Sequence, residues 1–200
     1  DVYTGGDDST GVTAQSVGDS GGGAVSVASS GNVTTLGVNS TGVMAQSDGG
    51  PTTGGPVDVS IAGQTWTEGD NADGIFAQSI GAVGAVDVTV NSGGATTLGN
   101  NSRGIYAQSD SGSGVGGVVS VGLTGDVYTG GDDSTGVTAQ SVGASGGGVV
   151  SVASSGNVTT LGVNSTGVMA QSDGGPTTGG PVDVSIAGDR KSTRLNSSHQ

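Results

Sequence analysis

The side chains in this sequence that could bind a metal are its aspartates, and one short motif places them twice beside glycines. Residues 5–8 and 130–133 both read Gly-Gly-Asp-Asp, which is similar to the glycine–aspartate turns of calcium-binding repeats. Such a site needs oxygen ligands that converge from several positions, usually supplied by a nine-residue repeat, and this sequence has no such period. We therefore predict that both motifs are corner turns, with no metal site and no cofactor.

Groups for acid–base catalysis are also scarce. Hydrolysis or elimination on an acidic polysaccharide needs clustered carboxylates, or a base beside a metal-bound sugar acid. Up to residue 188 the sequence has no histidine and no lysine, and its one basic residue is Arg103. The acids are predicted to lie at turns or singly on strands, as Asp58, Asp87 and Asp183 do. The sequence therefore predicts no catalytic residues and a protein that is not an enzyme.

A sequence repeat indicates which structural units carry these side chains. A glycine, a β-branched residue, one variable residue and Ala-Gln-Ser recur at intervals of 30 to 32 residues. The motif glycines are Gly11, Gly42, Gly74, Gly104, Gly136 and Gly167. A period of this length, held through the chain, means that each repeat is one structural unit stacked on the next. Stacking also lets a chain with 44 glycines and 2% aromatic residues build a narrow core from valine and alanine.

Each repeat is predicted to contain three short strands. In the second repeat these are 43–47, 57–61 and 64–68, because apolar and polar residues alternate there and glycine-rich loops separate the three segments. The predicted inward residues are Val43, Ala45, Val57 and Val59, and the predicted outward residues are Met44, Gln46 and Asp58. No segment has helical periodicity. The prediction is an all-β solenoid of about six coils of ~31 residues, which forms a single domain over 1–188.

Alignment on the motif glycine places polar residues in vertical columns. The columns are Asp8, Asn39, Asn71, Asn101, Asp133 and Asn164; Gln15, Gln46, Gln78, Gln108, Gln140 and Gln171; and Thr4, Thr35, Thr67, Thr97, Thr129 and Thr160. Amide side chains that repeat at the strand spacing of ~4.8 Å can hydrogen-bond along the stack. We interpret the columns as structural ladders. The alternative is a row of polar groups that binds a repetitive ligand.

The variable residue of the motif forms a further column on the predicted outer face. Its members are Thr13, Met44, Phe76, Tyr106, Thr138 and Met169. Met44, Phe76 and Tyr106 make a short apolar stripe, which is either a contact surface for a partner or covered by a loop, a flanking segment or glutamine stems. We favour the covered interpretation. Trp66 and Arg103 depart from their columns, and the sequence suggests no role for either.

The last twelve residues do not follow the repeat. Residues 189–200 resemble a translated sequencing adapter, and we expect a non-native, disordered tail.

Without them, sixteen acids face one base, and so acidic a surface repels phosphate backbones, which excludes nucleic acid as a partner. Residues 1–63 recur almost unchanged as 126–188, which indicates a recent duplication or an assembly error.

A resemblance to a known family rests on the extended motif. Residues 39–47 and 101–109 read Asn-Ser-x-Gly-(Val/Ile)-x-Ala-Gln-Ser, and each is followed by a glycine-rich stretch. These copies resemble the repeats of bacterial autotransporter passenger domains, and the resemblance covers 1–188. It implies a right-handed parallel β-helix displayed at the surface of a Gram-negative bacterium. Export across the outer membrane would use a C-terminal translocator β-barrel of the same polypeptide, so the sequence is interpreted as an internal fragment of a longer passenger.

The resemblance implies adhesion, autoaggregation or surface display, with host surfaces, matrix or a second copy as partners. Two other classes of solenoid compete with it. A carbohydrate-active β-helix lyase or hydrolase would need the catalytic groups that are missing, and an ice-binding solenoid would need a regular Thr-x-Thr face, which only Thr65 and Thr67 provide. The favoured prediction is a non-catalytic extracellular passenger segment that acts as a stalk or an adhesin-like scaffold.

Overall fold

The computed structural model describes residues 1–188, and within this range every regular element is a β-strand. The tail predicted at 189–200 lies outside the described residues. In chain order the strands are β1 Val2–Thr4, β2 Val12–Val17, β3 Val25–Ser29, β4 Val33–Thr35, β5 Val43–Asp48, β6 Val57–Ile61, β7 Thr65–Thr67, β8 Ile75–Gly81, β9 Val88–Ser92, β10 Ala95–Thr97, β11 Arg103–Ser111, β12 Val119–Leu123, β13 Val127–Thr129, β14 Thr135–Gly143, β15 Val150–Ser154, β16 Val158–Thr160, β17 Thr166–Asp173 and β18 Val182–Ile186. The prediction of an all-β fold is confirmed.

Strands three apart in the sequence pair in parallel, so the chain winds into coils of three strands each. The first sheet has the order β1-β4-β7-β10-β13-β16, the second contains β2, β5, β8, β11, β14 and β17, and the third contains β3, β6, β9, β12, β15 and β18. Coil 1 is therefore β1 to β3, and coil 6 is β16 to β18. The molecule is a β-solenoid of about six coils of ~31 residues, as the repeat predicted.

The register keeps equivalent positions of the repeat in contact. Between β5 and β8, Val43 pairs with Ile75, Ala45 with Ala77, and the motif serines also pair. The same alignment holds between every pair of neighbouring coils, because a slip of one residue would turn each apolar side chain outward. The columns predicted from the sequence are therefore formed by neighbouring residues of successive coils.

The core is a narrow column of small apolar side chains. Val43, Ala45, Val57 and Val59 are all buried, as predicted. Of the predicted outward residues, Asp58 is exposed, whereas Met44 and Gln46 are half-buried by their neighbours in the same columns. Because each coil covers the core of the next, residues as small as alanine are completely removed from solvent.

The third strand of the repeat is shorter than predicted. The sequence indicated 64–68, but β7 covers only Thr65–Thr67. At its start, the N–H of Gln64 donates to the side-chain oxygen of Asn32 at 2.9 Å, so Gln64 joins the backbone ladder only through its carbonyl, which accepts from the N–H of Val33. Beyond its end the chain turns at Asn71, whose φ of 54° is not compatible with a strand.

The corner after the first sheet imposes two local requirements. The six residues with positive φ that are not glycine are the Asp/Asn column: Asp8, Asn39, Asn71, Asn101, Asp133 and Asn164. Asp and Asn tolerate this left-handed conformation better than other side chains do. Two residues earlier, a Cβ on Gly69 would lie 1.9 Å from the carbonyl oxygen of Gly37 in the coil below, so only glycine fits there.

Candidate functional site

The apolar stripe lies on the outer face of the second sheet. Met44, Phe76 and Tyr106 are direct neighbours in β5, β8 and β11. The rings of Phe76 and Tyr106 stack with centroids 5.1 Å apart and planes inclined by 18°. Tyr106 is only 9% exposed although it points outward, so something covers it.

The cover is Arg103, the residue for which the sequence suggested no role. Its guanidinium carbon lies 3.8 Å from the Tyr106 ring centroid and 5.7 Å from that of Phe76. The same guanidinium holds the carboxylate of Asp73 in the coil below, with Nη2 2.6 Å from Oδ2 and Nε 3.1 Å from Oδ1. Arg103 therefore links coil 3 to coil 4, and its guanidinium covers the Phe76 and Tyr106 rings of the stripe on their solvent side.

A signal for this pair was present in the sequence. Asp73 and Arg103 both stand directly before a motif glycine, in a column that otherwise consists of threonine at 10, 41, 135 and 166. Opposite charges at one column position in consecutive coils lie one strand spacing apart, where they attract. Neither departure indicates the interaction alone; the two together do.

Tyr106 is held by a second contact. Its hydroxyl donates to Oε1 of Gln108 at 2.6 Å. The interpretation of the stripe as covered is thus correct for Tyr106, but an arginine, with help from one glutamine, provides the cover instead of a loop. Burial raises the pKa of Tyr106, and the positive charge of Arg103 opposes that rise.

The glutamine column forms the predicted ladder along most of the second sheet. Nε2 of Gln15 donates to Oε1 of Gln46 at 3.0 Å, and Gln46 donates to Gln78 at 3.1 Å. Gln78 in turn donates to Gln108, whose Oε1 also accepts from Tyr106. Among the described residues the next bond of this row is between Gln140 and Gln171, so the ladder is interrupted above Gln108.

The acids of the Gly-Gly-Asp-Asp motifs also bind the neighbouring coil. Oδ1 of Asp7 accepts from the N–H of Val38 at 2.9 Å, and Oδ1 of Asp8 accepts from Nδ2 of Asn39 at 3.0 Å. Asp132 accepts from the N–H of Val163 at 2.7 Å. Both motifs are corner turns, as predicted. Within residues 1–188 no three side chains of His, Cys, Asp or Glu are grouped so that they could hold a metal ion.

The serine of the motif has a structural task that the sequence analysis did not identify. Ser47 is buried, and its Oγ accepts from the N–H of Gly55 at 2.8 Å while donating to the carbonyl of Gly23 at 2.8 Å. Ser141 and Ser172 make the same pair of bonds in coils 5 and 6. The signal was the unvarying serine, with a glycine seven or eight residues later in most repeats.

Two concave regions lie on the other outer faces. A groove of about 570 Å³ crosses the C-terminal ends of the strands of the third sheet over several coils. It is lined by small residues such as Ser60, Gly122 and Ala153. A smaller pocket of about 280 Å³ lies on the first sheet and is lined by Asn32, Thr34, Leu36, Gln64, Trp66 and Glu68. Nε1 of Trp66 donates to Oε1 of Glu68 at 3.1 Å, so indole and carboxylate border the same pocket.

Comparison with known proteins does not identify this chain. No protein-family model, no curated protein and no solved structure matches it. Over residues 1–188 there is no helix that is long and apolar enough to span a membrane.

Proposed function

We propose that this chain is a non-catalytic segment of an autotransporter-type passenger, displayed at the cell surface as a stalk or an adhesin-like scaffold. One observation carries the proposal: the acids of the Gly-Gly-Asp-Asp turns and the polar side chains of the repeat motif bind the next coil. Asp7, Asp8, Gln46 and Ser47 each hydrogen-bond a residue of a neighbouring coil. Groups used in this way hold the stack together and do not converge on a substrate.

The architecture suits a role in extension and display. Each coil contacts only its neighbours, so stability adds along the array and the rod can be lengthened by further repeats. The proposed setting is the outside of a Gram-negative cell, reached through a translocator of the same polypeptide. The outer faces of the three sheets are then available to a host surface, to matrix or to a second copy.

Surface display tests the proposal. The full chain is fused to an autotransporter translocator without its own passenger and expressed in a Gram-negative cell. We expect an N-terminal epitope to be accessible to antibody on intact cells, and the passenger to resist added protease. Gly69→Val is the matched control, because its side chain would meet the carbonyl oxygen of Gly37 and prevent stacking. Retention of the wild-type chain inside the cell, or release of products from acidic polysaccharides by the purified chain, would contradict the proposal.

A further inference from the structure

The outer face of the first sheet alternates between two kinds of coil. Coils 1, 3 and 5 carry an aromatic residue followed four positions later by an aspartate, and coils 2, 4 and 6 carry threonine at the aromatic position. The aromatic residues are Tyr3, Trp66 and Tyr128, and the aspartates are Asp7, Asp70 and Asp132. Neighbouring strands lie about 4.8 Å apart, so like coils repeat every ~9.6 Å along this face.

The aromatic side chains are accessible to a partner. Tyr3 is 69% exposed and Trp66 is 40% exposed, and Tyr128 is half-buried. The ring of Tyr128 lies against Gly130 two residues later, 3.4 Å from where a Cβ would be, so it extends along its own chain. Trp66 borders the pocket of about 280 Å³ together with Glu68. This face therefore presents rings at regular intervals with a carboxylate beside the central one.

The aspartates lie at the corner that follows this face, where they are exposed and held in place. Oδ1 of Asp70 accepts from the N–H of Asn100 at 2.7 Å, and Asp7 and Asp132 make the same bond to the coil above. One oxygen is anchored in this way, and the carboxylate remains at the surface. The charges are thus preorganised, which reduces the entropy that a ligand must remove on binding.

The charge of the molecule selects the partner. Residues 1–188 contain sixteen acids and a single base, Arg103, which is already engaged by Asp73. At this face a second copy or an anionic polymer would meet like charges in coils 1, 3 and 5, whereas a basic segment would meet complementary ones.

The second sheet shows how this protein holds a cation. Arg103 lies on the Tyr106 ring and binds the carboxylate of Asp73, which combines a cation–π contact with a charge-assisted pair of hydrogen bonds. The first sheet presents the same two kinds of group, rings and carboxylates, without an arginine or lysine among the described residues to occupy them.

We propose that the outer face of the first sheet binds a basic, extended segment of a partner protein, with one arginine side chain in the Trp66–Glu68 pocket. The stem of that arginine would pack against Trp66 and Leu36, and its guanidinium would reach Glu68. A polyproline II segment rises ~3.1 Å per residue, so arginine at every third position recurs every ~9.3 Å and follows the aromatic coils. The proposal rests on the proposed role as a non-catalytic scaffold, and its test uses purified protein, so failure of binding and failure of surface display are distinguishable.

The probe is a proline-rich peptide with arginine at every third position, and its control is the same peptide with citrulline in place of arginine. Every protein used carries Arg190→Ser, Lys191→Ser and Arg194→Ser, which removes every arginine and lysine except Arg103, and Arg103 is bound to Asp73. Trp66 is the sole tryptophan, and its fluorescence reports binding at the pocket directly. We expect the arginine peptide to bind, with an affinity that falls as salt rises, and the citrulline peptide to bind at least tenfold more weakly.

Two variants remove the proposed contacts with substitutions that the solenoid already accepts. The triple variant Asp7→Asn, Asp70→Asn, Asp132→Asn keeps the acceptor oxygen, since Asn100 fills this column in coil 4 and accepts from Asp132 at 2.8 Å. The variant Tyr3→Thr, Tyr128→Thr copies coils 2, 4 and 6 and keeps Trp66 as the reporter. Each is expected to weaken peptide binding at least tenfold.

The matched control removes the same charge from another face. The control variant carries Asp58→Asn, Asp87→Asn and Asp183→Asn, and all three carboxylates are exposed. Asp58 and Asp183 lie on strands of the third sheet, whereas Asp87, predicted on a strand, directly precedes β9 and its Oδ1 accepts from the N–H of Val118, a bond that asparagine can also accept. This variant is expected to change the affinity less than threefold. Equal binding of the citrulline peptide, an equal loss in the control variant, or absence of binding would overturn the proposal. Self-association in sedimentation that the peptide does not displace would also overturn it, by assigning the face to a second copy.

Discussion

Arg103 of coil 4 binds Asp73 of coil 3 through both carboxylate oxygens while its guanidinium lies on the ring of Tyr106. Asp73 is 6% exposed, and the Arg103 side chain is 34% exposed. This pair is the one ion pair between side chains in residues 1–188, and it connects two coils at the center of the stack. The contribution of this ion pair to the free energy of unfolding can therefore be measured without interference from a second ion pair within residues 1–188.

Removal of one partner should destabilise the protein more than removal of both. Arg103→Thr leaves the Asp73 carboxylate buried without a counterion, and we expect a loss of about 2 kcal/mol in the free energy of unfolding, less than for a fully buried pair because Arg103 is partly solvated. The double variant Asp73→Thr, Arg103→Thr restores the threonine of this column and should recover most of the loss. Urea unfolding of both variants and of Asp73→Thr completes the cycle, and simple additivity of the two single losses would contradict the prediction.

The threonine column offers a test of buried hydroxyl groups. Oγ1 of Thr67 donates to the carbonyl of Ala72 at 2.7 Å, whereas the buried hydroxyls of Thr97 and Thr129 have no partner among the described residues. Thr67→Val should therefore lower the free energy of unfolding by about 1 kcal/mol, because a buried carbonyl loses its donor. Thr97→Val and Thr129→Val should be neutral or stabilising, since a buried unpaired hydroxyl is removed. Thermal unfolding compares the three, and equal losses would show that the hydroxyl bond is not the cause.

Gly69 should not tolerate a side chain. A Cβ there would lie 1.9 Å from the carbonyl oxygen of Gly37, so the two coils would have to separate. We expect Gly69→Ala to cost roughly 2 kcal/mol or more in chemical denaturation. Gly84→Ala is the control, because the nearest atom to its Cβ would be a methyl carbon of Thr53 at 3.5 Å. A similar loss in both variants would show that replacing any glycine destabilises the protein, and that the close approach of Gly37 to Gly69 is not the cause.

Tyr106 should make stability depend on pH in the alkaline range. Burial raises the pKa of Tyr106 above the ordinary tyrosine value of about 10, so the folded state keeps the phenol proton to higher pH than the unfolded chain does. The unfolded state then binds fewer protons, and the free energy of unfolding falls as pH rises from the unfolded pKa through the folded one. Tyr106→Phe should flatten this fall in urea unfolding between about pH 9 and pH 11. Tyr3→Phe controls for loss of an exposed phenol, and an unchanged slope in Tyr106→Phe would refute the assignment.

Most of the backbone could be predicted because the repeat constrains it. One motif repeated every ~31 residues requires equal coils, and alternation within 43–47 and 57–61 identifies the inward face of each strand. The Asp/Asn column marks the corner with positive φ, and the glutamine column marks a ladder on the outer face. These features follow from spacing, since in a stack each position meets only its own equivalents above and below.

The repeat is thus sufficient to predict the fold class, the register and the inward residues Val43, Ala45, Val57 and Val59. How the residues that depart from the repeat contact one another became known from the three-dimensional arrangement. Side-chain direction determines three features of this kind. They are the contacts among Asp73, Arg103 and Tyr106, the interruption of the ladder above Gln108, and the pocket beside Trp66. A period fixes which positions are neighbours, but rotamers, exposure and competition among donors fix which of those neighbours bind.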